Sequence, residues 1–428
     1  MTELHQDQLC FSFPAIEEEL RRLTDAYVGQ TLPKILAEDR AAAVKSALES
    51  SWTYRNAPAE FKKEATRTAM KLTAERIQKA FAETVTSQAA LERGDAGQLR
   101  VEFQRTLRIP DDGSDYFLPP GLGRFPLRHI DDFEDRVPAP WLERGGVMMP
   151  MYQSEALWLN FRSRHPFALK VASGKINAIT GRSWQAGLHR RPQDYLVLPE
   201  QPWLDGFAVE KGIIRQFVAM PLGAGYSVEE QLSGKAEFGG LQLEACPLKT
   251  KVHFEKDVRP HLPCSLADIL PRLLPPPPRL EEDGVRFCLQ AAPMPCAPMG
   301  LGAGGRMKQE IYADHHRLED WDGTQTSRCF VHLCDALVWR EITGENPPHT
   351  PATASEYARA RLPWFEFYRD DLAVLEGSKK LAGVKSVVKI SKEKGDKAVT
   401  GNDKVKTGTP VNCGPKKRPN RVREWAGK

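Results

Sequence analysis

Alternation of apolar and polar residues is the clearest pattern in the middle of the chain. From Leu99 onward, short apolar segments recur and are separated by residues that favour turns. They include Gly146 to Tyr152, Phe167 to Ala172, Ile213 to Met220 and Leu241 to Leu248. Their spacing of about ten residues is typical of an antiparallel sandwich or barrel and does not suit βαβ units. The short link Ser173-Gly174-Lys175 predicts a hairpin.

The first 95 residues have a helical pattern. Glu17 to Leu23 opens one amphipathic segment, and Leu32 to Leu48 forms a second. Ala59 to Leu91 forms a third without Gly or Pro, and its apolar positions roughly follow the helical period. Because a helix of that length is long for a globular domain, residues 1–95 are interpreted as a helical bundle or as an element for self-association.

Residues 257–298 contain ten prolines, including Pro275 to Pro278. Four consecutive prolines favour an extended polyproline II spacer, so this stretch is predicted to be a linker or an insertion. Ordered patterns resume afterwards. Thr353 and Glu356 form a capping box that predicts a helix from Ala354 to about Arg361.

The predicted fold class is therefore α+β. An N-terminal helical domain (1–95) precedes an antiparallel, β-rich, sandwich-like domain with peripheral helices. That domain would comprise residues 96–256 and 299–377, interrupted by the Pro-rich stretch. A basic and largely flexible tail is predicted for residues 378–428, because Lys and Gly dominate there.

The net charge of +4 is unevenly distributed. From Lys379 to Lys428 there are 12 Lys and 3 Arg against 4 acidic residues, a net +11, so the rest of the chain carries −7. The 8 cysteines form no C-x-x-C pair, and no signal peptide or transmembrane run is recognisable. These features predict a cytoplasmic protein with reduced thiols and no membrane segment.

A Gly-rich turn before a capped helix is the first candidate ligand site. Gly223 and Gly225 permit positive φ angles, and Ser227 with Glu230 matches a capping box that predicts a helix from Val228. Free N–H groups at such a turn can hold an anion. The alternative is a structural turn, because the capping box already occupies two of these donors.

A second Gly-rich stretch matches G-x-G-x-x-G at Gly300, Gly302 and Gly305. The dinucleotide-binding motif requires a strand directly before it, and prolines up to Pro298 argue against one. The stretch is predicted to be a surface or site loop. There, backbone N–H groups and Arg306 could hold an anion.

A polar cluster suggests a metal site. His315 and His316 lie among carboxylates, and His332 follows between Cys329 and Cys334. Imidazole, thiolate and carboxylate groups suit zinc or another transition metal. The spacing matches no standard zinc module, so the alternative is a surface turn plus core cysteines. The pattern specifies no other cofactor.

Enzymatic activity is left open. The chain has no G-x-S-x-G, HExxH, Walker A, EF-hand or kinase signature. Glu200 and Asp205 could serve as acid and base, although polar residues beside Pro and Gly also suit a turn.

The basic tail carries a last candidate surface. Its cations could bind nucleic acid without sequence specificity, or an acidic partner, or could simply keep the chain soluble. The residues concerned are Lys416, Lys417, Arg418, Arg421 and Arg423.

Five stretches resemble a family of uncharacterised microbial proteins. They are Phe103 to Gly113, Met151 to Leu159, Pro199 to Gly206, Pro221 to Gly240 and Arg328 to Leu333. The resemblance covers about Leu99 to Leu381 and implies a shared fold core. It implies no catalytic residue.

The leading functional hypothesis is an intracellular binding or assembly protein. Its β-rich domain would recognise a partner or ligand, and it would bind another protein or form a homo-oligomer. The alternative is a hydrolase that acts on an anionic substrate through a Gly-rich loop, with or without a metal. A third hypothesis is non-specific nucleic-acid association through the tail.

Overall fold

A large, mainly antiparallel β-sheet dominates the computed structural model, which describes residues 2–5, 7–31, 97–255, 298–360, 362–396, 399 and 409–413. The first strands of this sheet are β1 (Thr2–His5), β2 (Gln8–Ser12), β3 (Gln98–Thr106), β4 (Asp115–Tyr116), β5 (Arg128–His129), β6 (Val147–Met151), β7 (Ala156–Ser163) and β8 (Phe167–Ser173). The others are β9 (Ile176–Asn177), β10 (Leu196–Leu198), β11 (Trp203–Leu204), β12 (Gly206–Glu210), β13 (Ile213–Pro221), β14 (Leu241–Pro247), β15 (Pro298–Lys308) and β16 (Ser327–Asp335).

Hydrogen-bonded neighbours follow the order β1-β2-β3-β7-β13-β15-β16-β14-β8-β10. Two pairs, β4 with β15 and β6 with β16, are parallel, and the pairs along the main path are antiparallel. A separate parallel pair joins β17 (Phe365–Glu366) and β18 (Val411–Asn412). The strand pattern predicted from the alternation is thus confirmed as a mixed α+β fold built mainly on antiparallel strands.

Within the part of the chain that the structure describes, the helices are few and mostly short. They are α1 (Pro14–Ala26), α2 (Ala139–Arg144), α3 (Val228–Ser233), α4 (Thr250–His253), α5 (Ala336–Thr343), α6 (Ala354–Arg359), α7 (Lys379–Ala382) and α8 (Val387–Lys394). A π-helical turn covers Tyr27–Thr31, and 3-10 turns cover Asp131–Phe133 and Leu318–Asp320. Within the described ranges, no helix is long and apolar enough to cross a membrane.

One apolar core joins strands from the whole length of the sheet. Leu9 and Phe11 of β2 belong to the same buried cluster as Val171 of β8, Leu243 of β14 and Val331 of β16. In each of these strands the members of the cluster occupy every second position, because side chains alternate between the two faces of a sheet. The core therefore covers one face of β8, β14 and β16, and the side chains on the opposite face of these strands do not belong to it.

The prediction of an N-terminal helical domain is wrong for the residues described. Residues 2–5 and 8–12 form a hairpin of the sheet, and β2 pairs with β3 through partners such as Cys10 and Arg100. Only α1, which contains the predicted Glu17 to Leu23 segment, is helical before the π turn. The predicted helices over 32–48 and 59–91 lie outside the described residues, as does the Pro-rich stretch 257–297.

Local turn and cap predictions are confirmed. Gly174 and Lys175 adopt positive φ angles of 55° and 61° in the hairpin between β8 and β9. The capping boxes at Ser227 and Thr353 form as predicted, and the helix that begins after Thr353 ends at Arg359.

The prediction of a loop over Gly300 to Arg306 is wrong, because these residues form the middle of β15, paired with β13. Pro298 is compatible with the strand because it is the first strand residue. The glycines allow other segments to lie directly on the strand. A Cβ atom on Gly302 would lie 2.8 Å from the Tyr226 carbonyl oxygen, and one on Gly305 would lie 2.3 Å from that of Pro110.

Gly305→Ala should therefore lower the free energy of unfolding by about 1–3 kcal/mol, since backbone must shift to admit the methyl group. Urea unfolding would measure the effect. Gly323→Ala is the matched control, because a Cβ there meets nothing within 4 Å. Equal stability of the two variants would contradict the close-packing interpretation.

The first part of the predicted tail lies on the sheet. Val387, Val388 and Ile390 of α8 are buried against Ala156, Val218 and other apolar residues. Ser386 Oγ also hydrogen-bonds the carboxylate of Asp111. Residues 379–396 thus form two helices packed on the core.

Candidate functional site

Three neighbouring strands carry polar side chains on the face away from the core. Lys170 of β8, Glu244 of β14 and Arg328 of β16 lie side by side in register. In the next row, Gln242 of β14 pairs with Phe330 of β16. We call this part of the sheet, made of four polar residues and Phe330, the polar face; Lys170, Gln242 and Glu244 are buried in it.

A buried ion pair lies in the middle of the polar face. The side chain of Glu244 is fully buried, and its Oε2 accepts a hydrogen bond from Arg328 Nε. Arg328 extends outward, with 57% of its side chain exposed. The second oxygen of Glu244, Oε1, has no hydrogen-bond partner among the described residues. Burial of this carboxylate is therefore compensated mainly by nearby positive charge.

Two further cations lie against the aromatic rings beside this pair. Arg144 Cζ lies 4.9 Å from the ring centroid of Phe238 and 5.6 Å from that of Phe330. Lys175 Nζ lies 5.9 Å from each of the same two centroids and 5.3 Å from that of Trp184. These distances are within the range of cation–π attraction. We call Arg144, Lys175 and Arg328 the cationic cluster.

Two members of the cluster, Lys175 and Arg144, form no ion pair with a carboxylate in the described ranges, whereas Arg328 pairs with Glu244. Burial is the largest cause that lowers the pKa of Lys175, and repulsion from Arg328 and Arg144 lowers it further, while Glu244 acts in the opposite direction. Lys170 and Arg328 each have a carboxylate partner, but Lys175 forms no ion pair with any carboxylate in the described ranges. A half-buried ammonium group between two guanidinium groups is a ready partner for an anion.

Local structure fixes the positions of these groups. The backbone N–H of Lys175 donates to Gln242 Oε1 at 2.6 Å, which ties the hairpin turn to β14. The loop that carries Phe238 is held by Glu229, whose buried carboxylate accepts backbone N–H bonds from Glu237, Phe238 and Gly239 at 2.7–3.0 Å. The loop that carries the Phe238 ring is thus held by backbone hydrogen bonds and not by the cations alone.

Lys170 has a structural role next to the cluster. Its Nζ forms an ion pair with Asp194 at 3.0 Å and donates to the carbonyl oxygens of Gln185 and Gly187 at 2.6 and 2.5 Å. These contacts use all three N–H groups of the ammonium. His189 Nδ1 lies 2.9 Å from the same Asp194 oxygen. Lys170 therefore fastens the segment before β10 to the sheet, around a cavity of about 10 Å³.

The Gly223 turn lies elsewhere in the molecule. Its N–H groups are used internally, since those of Gly225 and Ser227 donate to the two Glu230 carboxylate oxygens at 2.7 and 3.0 Å. Gly225 lines an open cleft of about 380 Å³ between α3 and the α7–α8 segment. Across that cleft, Lys385 and Glu393 form an exposed ion pair of 2.7 Å.

Gly302, Gly305 and Arg306 do not form a loop site, because all three belong to β15. Arg306 projects from the strand and pairs with Asp115 at 2.7 Å and Glu210 at 2.9 Å. These two carboxylates raise its pKa. The positive charge of Arg306 is thus already compensated within the protein.

The three predicted metal ligands do not lie together. The His315 ring lies 4.1 Å from that of His316, which packs against Trp321. His332 lies between the rings of Trp141 and Phe330, at 4.6 and 4.5 Å, and burial lowers its pKa to about 4. The structure, where described, contains no group of three His, Cys, Asp or Glu side chains able to hold a metal ion.

The carboxylates of Glu200 and Asp205 differ in environment. His315 Nε2 lies 3.9 Å from Glu200 Oε1, whereas Asp205 is fully buried. The tail cations from Lys416 to Arg423 lie outside the described residues.

Sequence reasoning missed the cationic cluster. Arg144, Lys175 and Arg328 come from α2, the β8–β9 turn and β16, which are far apart along the chain. A signal was present in the strands, since Lys170 and Glu244 interrupt otherwise apolar segments. Charges in a strand with one buried face indicate that the opposite face is polar.

No protein-family model, curated protein or solved structure matches this chain. The resemblance to a microbial family stays a prediction.

Proposed function

We propose that this protein is a binding protein that recognises an anionic ligand on the polar face, through the cationic cluster. The observation that carries the proposal is Lys175, a half-buried cation beside Arg144 and Arg328 that has no ion pair with a described carboxylate. An anion placed there would relieve repulsion among the three cations. The partly buried setting strengthens that attraction relative to water.

The surroundings suit a binding surface. Phe238, Phe330 and Trp184 line the cluster with aromatic rings. Gln242 fixes the turn that carries Lys175, and Glu229 fixes the loop that carries Phe238. Such preorganisation reduces the entropy lost on binding. We also infer that the sheet is sandwich-like, because strands from both ends of its path contribute to one core.

The Gly-rich segments support the hydrolase alternative less well. Donors at Gly225 and Ser227 are taken by Glu230, and Arg306 is held by two carboxylates. Each would first have to lose an existing partner before it could hold a substrate anion. Lys175 has no ion pair with a described carboxylate to lose.

Lys175→Met should weaken the binding of inorganic phosphate at least about tenfold at low salt. A tenfold change in affinity corresponds to ~1.4 kcal/mol, and the attraction between two opposite charges in close contact near a protein surface is larger than that. Calorimetric titration of the full chain would measure the change in affinity. Lys211→Met is the matched control, since Lys211 is exposed and already pairs with Glu376 at 2.9 Å.

The variant should remain folded, because removal of Lys175 also removes repulsion between like charges. If the wild-type protein binds phosphate and Lys175→Met binds it with the same affinity, the proposed site is wrong. Absence of phosphate binding by the wild-type protein would count against the function as a whole.

A further inference from the structure

The inference concerns the charge of the ligand and rests on the proposed function. We propose that the cationic cluster is built for a dianion with three terminal oxygens, namely a phosphate monoester. Carboxylates and phosphodiesters, which carry one negative charge, should bind less well.

The balance of charge at Lys175 supports a dianion. Arg144, Lys175 and Arg328 carry three positive charges beside the same aromatic rings, and the buried Glu244 carries one negative charge, which gives a local charge of +2. The buried carboxylate of Glu229 lies next to Gly174, and three backbone N–H groups stabilise its charge. Lys170 and Asp194 lie nearby but neutralise one another at 3.0 Å. A monoanion would leave one positive charge uncompensated in a partly buried setting, whereas a dianion would leave none.

The number of donors supports the same ligand. Each guanidinium has five N–H groups. Arg144 uses its Nη2 for the Glu237 carbonyl oxygen at 3.2 Å, and Arg328 uses its Nε for Glu244. The cluster thus offers the remaining N–H groups of three side chains. A phosphate monoester presents three terminal oxygens to them, whereas a phosphodiester or a carboxylate presents two.

The placement of Glu244 makes its charge a fixed part of the site. Its carboxylate is fully buried and paired with Arg328, so it stays in place when a ligand arrives. It therefore lowers the net charge of the cluster from +3 to +2. Because Coulomb attraction is proportional to the charge of the ligand, a dianion is attracted to this net charge about twice as strongly as a monoanion.

The test compares methyl phosphate, dimethyl phosphate and acetate by calorimetric titration of the full chain at pH 7.5 and low salt. Methyl phosphate is expected to bind at least about tenfold more tightly than the other two, because it carries a second charge. At pH 5 its advantage should shrink, because a phosphate monoester with a second pKa of about 6 becomes a monoanion. Lys175→Met should abolish the advantage at pH 7.5.

The failures of the two proposals are distinguishable. Equal affinities for the three anions, all reduced in Lys175→Met, would overturn the dianion inference and leave anion binding standing. An advantage of methyl phosphate over dimethyl phosphate that persists at pH 5 would also overturn it, because both are then mainly monoanions and charge could not be the cause. Absence of binding by all three anions would overturn both proposals.

Discussion

Asp314→Asn is expected to lower the free energy of unfolding by about 2–4 kcal/mol, since it disrupts a buried carboxylate that accepts from three donors. Oδ2 accepts from the Tyr195 hydroxyl at 2.5 Å and from Trp321 Nε1 at 2.9 Å. Oδ1 accepts from the backbone N–H of His316 at 2.8 Å.

An asparagine in this position would keep one acceptor oxygen and turn an NH₂ group toward at least one of these donors. Both tyrosine and carboxylate are buried, so water cannot replace the lost bond. The network joins β10 to the segment before β16, and its loss should loosen that connection.

Urea or thermal unfolding would measure this effect. Asp135→Asn provides the control, because Asp135 is exposed and a surface change of this kind costs within about 0.5 kcal/mol. A loss in Asp314→Asn no larger than in the control would show that the three hydrogen bonds contribute little.

The second prediction concerns Asp205, which lies between β11 and β12 and is 0% exposed. Burial raises the pKa of Asp205 well above its ordinary value, and a hydrogen bond from the Trp203 side chain only partly opposes this. Neither carboxylate oxygen has a well-formed hydrogen bond among the described residues. Asp205 is therefore protonated in the folded protein at pH values where it is ionised in the unfolded chain.

The sign of the pH dependence follows from proton linkage. The folded protein holds one more proton than the unfolded chain once the pH exceeds about 4, the unfolded pKa of Asp. Stability should then fall by about 1.4 kcal/mol per pH unit, until the pH passes the folded pKa of Asp205. Asp205→Asn, which cannot ionise, should lack this contribution and become more stable than wild type toward neutral pH.

Free energies of unfolding from pH 4 to pH 8 would test this prediction for wild type and variant. Other buried groups titrate in both proteins, so the difference between the two curves reports the contribution of Asp205. Asp371→Asn is the control, because a hydrogen bond from Arg369 holds the pKa of Asp371 at about 2, below the range tested. Parallel curves for wild type and Asp205→Asn would mean that Asp205 is already ionised in the folded protein.

Predictions based on local contacts were the reliable ones. The capping box at Ser227 and the hairpin at Gly174 depend on residues within a few positions of one another, and the structure confirms both. The alternation in β8 and β14 also predicted strands correctly, because one face of each strand is buried. In these segments, propensity and burial favour the same conformation.

Predictions that depended on distant partners failed. The β1–β2 hairpin was missed because its place in the sheet comes from β3, more than 80 positions away at the Cys10–Arg100 pair. The sequence predicts a loop over Gly300 to Arg306 because the prolines up to Pro298 argue against a strand. In the structure the glycines of this stretch serve close packing of Tyr226 and Pro110 on a strand, which no local pattern reveals.

The sequence by itself determined strands such as β8 and β14, the hairpin turn at Gly174 and the caps at Ser227 and Thr353, since hydrophobic period and turn chemistry act over a few residues. Tertiary structure alone decided the candidate site. Arg144, Lys175 and Arg328 become neighbours only when α2, the hairpin turn and β16 meet over Phe238 and Phe330. Electrostatic repulsion and burial depend on distance in space, so a charge cluster drawn from separate segments is defined only once the sheet has formed.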